Sequence, residues 1–501
     1  MAAIEMTIPG GDLATSHYPN ASGIVMMLDN FRAKLRKEAQ LWRDEGLINP
    51  ALYTQLAERY QFNKLEAAAR DRFVFLLIGI GCILLASGAI TFIAANWDVW
   101  SREAKVVLLI SLFIGTSITG FSFWREGTSI NSEGKKPPLG KKLLGEGLLF
   151  IAALILGANL ALMGQLFQIN RSTYELFLAW GLSVLAMSWG LRLTSLGILG
   201  IVLTQIGYWF GLGELPNSGT DLTWARLIVQ HMPLFSWLTF VPLAYWVRSR
   251  WIFASSAFAF ASSLQLNVNS LQLLSYSQAA PWLASFAFVL PPALFWSYDD
   301  LLFPEINYRL FQPLARSLAL LFFGFLFYIL SFSWWWQNAL YISRTNYNSV
   351  LRFFPLIDLG ILSGLAVLQW LYLLRHRPNR QHQGIDITSV FIGSFILITA
   401  LVPFLHQASS RFGVFAVFTF NVLLALLAGG LIREGLQLGK RRPFWSGLML
   451  LTLQIISRML ESDSGLLFKS LVFILCGWGV ISAGLWFEAR LNNLSKANSP
   501  K

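Results

Sequence analysis

"TFIAANWDVWSREAK", residues 91–105, ends one apolar run at Asn96, Trp97 and Asp98 and begins another within a few residues. A chain that leaves a bilayer and re-enters it needs a stop of this kind. Crossing about 30 Å of hydrocarbon takes roughly 20 apolar residues as a helix, with every backbone polar group bonded internally. The pattern recurs along all 501 residues, of which 55% are hydrophobic and 13% charged, with a mean hydropathy of +0.55. The fold class this predicts is an all-α, polytopic helical membrane protein.

Apolar segments predict spans near 73–95, 105–124, 146–166, 174–191, 194–212, 232–248, 251–268, 281–297, 316–336, 353–374, 387–405, 412–432, 443–459 and 468–487. These are fourteen helices; the count falls to twelve or thirteen if 174–191 and 194–212 form one tight pair or if the short 232–248 and 443–459 stay out. Short loops that stay cytoplasmic collect Lys and Arg. With a cytoplasmic N-terminus the inner segments carry 29 of the 38 basic residues and the outer segments 9, so both termini are expected inside. The net charge of +12 is therefore a topology signal, and clusters such as Lys440, Arg441 and Arg442 sit where they meet anionic headgroups. No basic domain with groove-reading elements is visible, which speaks against nucleic acid as a partner. Cys82 and Cys476 lie far apart inside apolar spans and read as core residues.

Four regions follow. Residues 1–23, rich in Gly, Ser, Thr and Pro, read as a disordered tail. Residues 24–72 read as a cytoplasmic helical hairpin: the first helix ends at Gly46, and the second starts with Asn49 as N-cap and Pro50 at its first position. Leu52, Leu56 and Tyr60 share a face that fits Leu41 and Trp42. So small a pair has too little core to stand alone and calls for the membrane domain, a headgroup layer or a protein partner beside it. Residues 73–488 form the transmembrane domain and 489–501 a cytoplasmic basic tail.

"LWRDEGLINPALYTQLAERY" before the first span, "AANW" at the first outer turn, and "GEGLLFIAALILGANLALMGQLFQIN" with Trp180 beyond it resemble one family of bacterial predicted membrane proteins, the "domain of unknown function 2157" family. The resemblance covers about residues 28–210. It implies a cytoplasmic helical hairpin followed by many spans, and it brings no activity or substrate.

Ionisable groups inside spans are costly and mark sites. Asp358, in "RFFPLIDLGIL", is the acid well inside a span; Pro355 near the helix start and Arg352 offer it a dipole or a charge partner. Asp98 has two readings. In the first, Trp97 and Trp100 anchor an interfacial turn in which Asp98 or Ser101 caps the next helix. In the second, Asp98 is the outer-loop carboxylate of a lipid-linked transferase. The next outer turn brings Gln165 and Glu175 to the same side, so Asn96, Asp98, Gln165 and Glu175 form a candidate outer-face polar cluster. Gln205, His406, Arg411, Gln454 and Arg458 extend the scattered outer polar set, for which the plainer reading is hydrogen bonding across helices. Trp334, Trp335 and Trp336 fit an interfacial belt. No HExxH, P-loop, GxSxG or dinucleotide motif occurs in a fitting context, so neither a metal nor a nucleotide cofactor is expected.

Three functions remain open: a transporter or flippase-like protein for a lipid or small solute, a non-catalytic membrane assembly protein, and the transferase centred on Asp98. The expected location is the cytoplasmic membrane or a related internal membrane, with membrane lipids as partners.

Overall fold

The computed structural model describes residues 35, 38–59, 84, 91, 100–128, 139–166, 172–214, 223–275, 281–300, 310–336, 353–375, 387–408, 412–462 and 464–497. They fall into two compact units, residues 1–108 with 125–143 and residues 109–124 with 144–501. The helices are α1 (Pro50–Arg59), α2 (Arg102–Thr128), α3 (Leu139–Leu166), α4 (Thr173–Leu191), α5 (Thr194–Glu214), α6 (Trp224–Gln230), α7 (Met232–Val247), α8 (Arg250–Val268), α9 (Ser270–Ser275), α10 (Pro281–Trp296), α11 (Gln312–Leu330), α12 (Phe353–Arg375), α13 (Ile387–Ala408), α14 (Phe412–Leu438), α15 (Arg441–Glu461) and α16 (Leu466–Ala497). The protein is a polytopic, all-helical membrane protein.

In the first unit a helical stretch over residues 38–44 ends at Gly46, whose φ of +73° is the left-handed value a side chain resists. Asn49 Oδ1 then accepts from the Ala51 amide at 3.3 Å and opens α1. Leu41 and Leu52 are each about half exposed, and Tyr60 lies outside the described residues. Lys141 pairs with Glu126 at 3.2 Å.

In the second unit every expected span from residue 146 on coincides with a helix. Among the described residues nine helices are long and apolar enough to cross a membrane, or ten if α6 and α7, bent by 89° at their junction, form one interrupted span. The expected count of fourteen exceeds this for physical reasons. The segment 73–95 lies largely outside the described residues, α10 has only 16 residues, and α15 carries Arg441, Arg442, Arg458 and Glu461. Helix α8 is studded with Ser255, Ser256, Ser262, Ser263, Gln265 and Asn267, yet it lies inside, against α5, α7, α10 and α11. Its polarity is satisfied internally: Gln265 Nε2 donates to Ala287 O of α10 at 2.5 Å, and Ser256 Oγ donates back to Ile252 O of its own helix at 2.6 Å.

Small residues set the helix separations. The tight pair α4–α5 turns at Arg192, whose φ is +53°, and Gly181, Gly200 and Gly207 bring it close: a Cβ on Gly181 would lie 2.7 Å from the Thr204 nitrogen. In α14–α15 the reversal takes two residues, Gly439 with φ +61° and Lys440, whose amide bonds back to Gly435 O at 3.1 Å. A Cβ on Gly435 would lie 2.5 Å from the Phe444 nitrogen, whereas one on Gly429 would meet nothing within 4 Å. Gly435→Val is therefore expected to destabilise the bundle by about 3 kcal/mol and Gly429→Val to leave it unchanged, as read by thermal unfolding in detergent.

Candidate functional site: a helix interrupted at a buried His–Asp pair

The interruption between α6 and α7 is written in "VQHMP", residues 229–233. Pro233 has no N–H for Val229 O, and its ring opposes a continuous helix through that carbonyl. The chain turns at His231, whose N–H bonds to Leu227 O at 2.9 Å on one side and whose C=O accepts from Phe235 N at 2.8 Å on the other. A bend of 89° leaves the last carbonyls of α6 without helical donors. Asn267 of α8 supplies them: Nδ2 donates to Gln230 O at 2.8 Å and to Val229 O at 3.3 Å. Tyr208 of α5 donates its hydroxyl to Asn267 Oδ1 at 2.8 Å, which fixes the amide in that orientation.

His231 also carries the charge chemistry. Its Nδ1 lies 2.6 Å from Asp358 Oδ1 on α12, with the carboxylate side chain 2% exposed and the imidazole 26% exposed. No donor among the described residues reaches Asp358 Oδ2 or the buried Gln230 Oε1. Gln205, three residues before Tyr208 on α5, is also buried, with neither amide atom hydrogen-bonded. The site is thus made by α5, the α6–α7 junction, α8 and α12.

A second polar layer lies at the far end of α7, where α10 ends and α11 begins. Tyr245 of α7 donates to Asp300, a carboxylate that only accepts, so the Tyr298 hydroxyl donates to Tyr245 Oη across 2.7 Å. Asp300 also accepts from Phe311 N at 3.1 Å and Gln312 N at 3.2 Å, capping the first turn of α11. Burial pushes the Tyr298 phenol up, so it stays a neutral donor. Between the layers is a cavity of about 20 Å³, room for about one water, walled by Trp237, Val241, Phe253, Ser256, Phe260 and Gln369.

The sequence expectations meet this structure unevenly. Asp358 is buried as an intramembrane acid should be, but its partner is His231; Arg352 lies outside the described residues, and the helix starts two residues before Pro355. His231 lies one residue before the expected span 232–248, and its one signal is Pro233 two residues on. Asn96 and Asp98 lie outside the described residues. Gln165 is exposed in the last turn of α3, and Glu175 is half-buried in the first turn of α4, where the helix dipole favours an acid. Trp336 is core rather than belt, 3% exposed with Nε1 bonded to Leu330 O at 2.7 Å, while Trp334 is exposed. Gln454 and Arg458 bond across helices, Gln454 Nε2 to Asn421 O at 2.8 Å and Arg458 Nη1 to Ser331 O at 2.7 Å.

Residues 40–197 match the family model described as "Predicted membrane protein (DUF2157)". Over this stretch the chain is similar to that family. The match takes in α1 to α4 and the first residues of α5, and it ends before the interrupted helix. Within the matched segment the expected motif has a packing reason: Gly157 leaves room on α3 for the Trp180 indole, whose Nε1 bonds to Ala153 O at 2.8 Å. No curated protein and no solved structure matches the chain.

Proposed function

We propose that the chain is a transporter-like protein of the bacterial cytoplasmic membrane or a related internal membrane, handling a small solute or lipid. In this reading it has fourteen spans, both termini in the cytoplasm and residues 24–72 as a helical hairpin on that side. The observation that carries the proposal is the interrupted apolar helix with His231 held against the buried carboxylate of Asp358 at its break. Broken helices free backbone groups at membrane depth, and proteins keep such breaks where a solute or ion is handled. A buried acid held against an imidazole within a membrane domain is also costly to keep and marks a site. The topology has support from pairing: Asn159 with Leu109, Ser285 with Ala400 and Trp296 with Ser389 each join helix positions that strict alternation assigns to one side.

Mass spectrometry of the protein extracted with its native lipid is the test, followed by transport of the retained lipid or solute in proteoliposomes. The expected result is transport by the wild type that falls at least about tenfold in a folded His231→Gln variant. No retained species, or one that the wild type holds without moving, overturns the reading. One observation favours a second reading, membrane assembly: no residue is buried in the membrane-crossing window of α16 within Leu466–Arg490. Retention of a stoichiometric protein partner in the same spectra is its expected signature.

A further inference from the structure

Two helix reversals meet at one face of the second unit. The α4–α5 turn runs through Arg192 and the α7–α8 turn through Arg248, and side chains join the two on both flanks. On one flank Trp246 Nε1 donates to Trp189 O at 2.9 Å, and the Arg192 guanidinium lies over the Trp246 ring, 3.9 Å from its centroid. On the other, a Cβ on Gly197 would lie 2.7 Å from Ile252 Cδ1. Arg248 and Arg250 fall between Trp246 and Ile252, so the docked turns carry three arginines. All three are exposed, and among the described residues none of them pairs with an acid. Arg441, by contrast, gives its fork to Glu488 at 2.9 and 2.8 Å. Asp300, the buried acid at this end of α7, is already taken by Tyr245 and the first amides of α11.

Two further observations point to an anion. Arg192 and Arg248 each cap their helix with φ of +53° and +55°, left-handed values that glycine takes freely and a side chain resists. Strain kept where glycine would remove it marks a position held for its side chain. The second is the stack itself. An indole beneath the guanidinium fixes its plane and leaves the in-plane N–H fork of Arg192 open, the geometry that grips a phosphate through two parallel hydrogen bonds.

We infer that the docked α4–α5 and α7–α8 turns bind the phosphate headgroup of an anionic phospholipid. The surroundings favour a lipid as the source of that phosphate. Trp189, Trp246 and Trp251 are exposed on the same turns, Trp251 by 75%, and indoles settle at headgroup depth beside basic side chains that meet anionic lipid. The site is independent of the transport reading, which rests on His231 and Asp358.

Full-length protein in detergent is titrated with phosphatidylglycerol or with phosphatidylcholine of the same acyl chains, and bound lipid is counted by native mass spectrometry. The wild type should retain phosphatidylglycerol at about tenfold lower concentration than phosphatidylcholine. The double variant Arg192→Gly, Arg248→Gly should lose that preference, yet unfold no earlier than the wild type in lipid-free detergent, because glycine relieves both turns. Should the double variant fail to fold, Arg248→Gly alone keeps the Trp246 stack and should weaken the preference by about threefold. Arg442→Gln, at the separate α14–α15 turn, should leave it unchanged. Equal retention of the two lipids by the wild type, a preference that survives the glycine variants, or a loss in Arg442→Gln as large as theirs overturns the inference. Glycerol phosphate at millimolar concentration should leave the lipid bound; displacement would assign the turns to a soluble phosphate and overturn the lipid as occupant.

Discussion

Asp300→Ala is expected to destabilise the protein by about 3–5 kcal/mol, more than any other single polar truncation described above. The carboxylate is 2% exposed and takes the Tyr245 hydroxyl and the amides of Phe311 and Gln312. Its removal orphans all three and frays the first turn of α11, a helix whose Phe323 and Phe327 are fully buried in the core. Asp300→Asn keeps one acceptor oxygen and should recover about half of the loss. Heating detergent-solubilised protein and following the monodisperse peak by size exclusion gives both values. An Asp300→Ala variant as stable as the wild type would show that the Tyr245–Tyr298–Asp300 layer holds nothing together.

His231→Ala should cost about 3 kcal/mol, because it leaves Asp358 buried against no partner. The double variant His231→Leu, Asp358→Leu should recover most of that, since an apolar pair of similar volume removes the desolvation cost along with the attraction. This non-additivity is the signature of direct coupling; two losses that simply add would mean that the pair does not interact. The same double variant should stay folded and lose transport, which separates the site's work from its contribution to stability.

Much of the architecture was legible along the chain. Apolar length and the Lys and Arg asymmetry depend on neighbouring residues alone, so the helices from residue 146 on, the tight α4–α5 pair and the Gly46 stop of the first helix could be read without tertiary contacts. The same local reading placed α8 but not the partners of its serines and amides, because hydropathy counts polar atoms and not the groups that satisfy them. It also treated Trp334, Trp335 and Trp336 alike, although one is 64% exposed and another 3%.

The site was legible only in part. Asp358 stood out because an acid within an apolar run is costly in any fold. Its partner did not, since His231 lies 127 positions away in a stretch that looks like a loop. Sequence by itself determined that this chain spans a membrane many times as helices, because hydrocarbon leaves an isolated segment no other way to satisfy its backbone. Only the tertiary structure decided that Pro233 breaks a helix where Asn267 repairs the carbonyls and Asp358 meets His231, because that requires four helices distant in sequence to bring their polar groups to one depth.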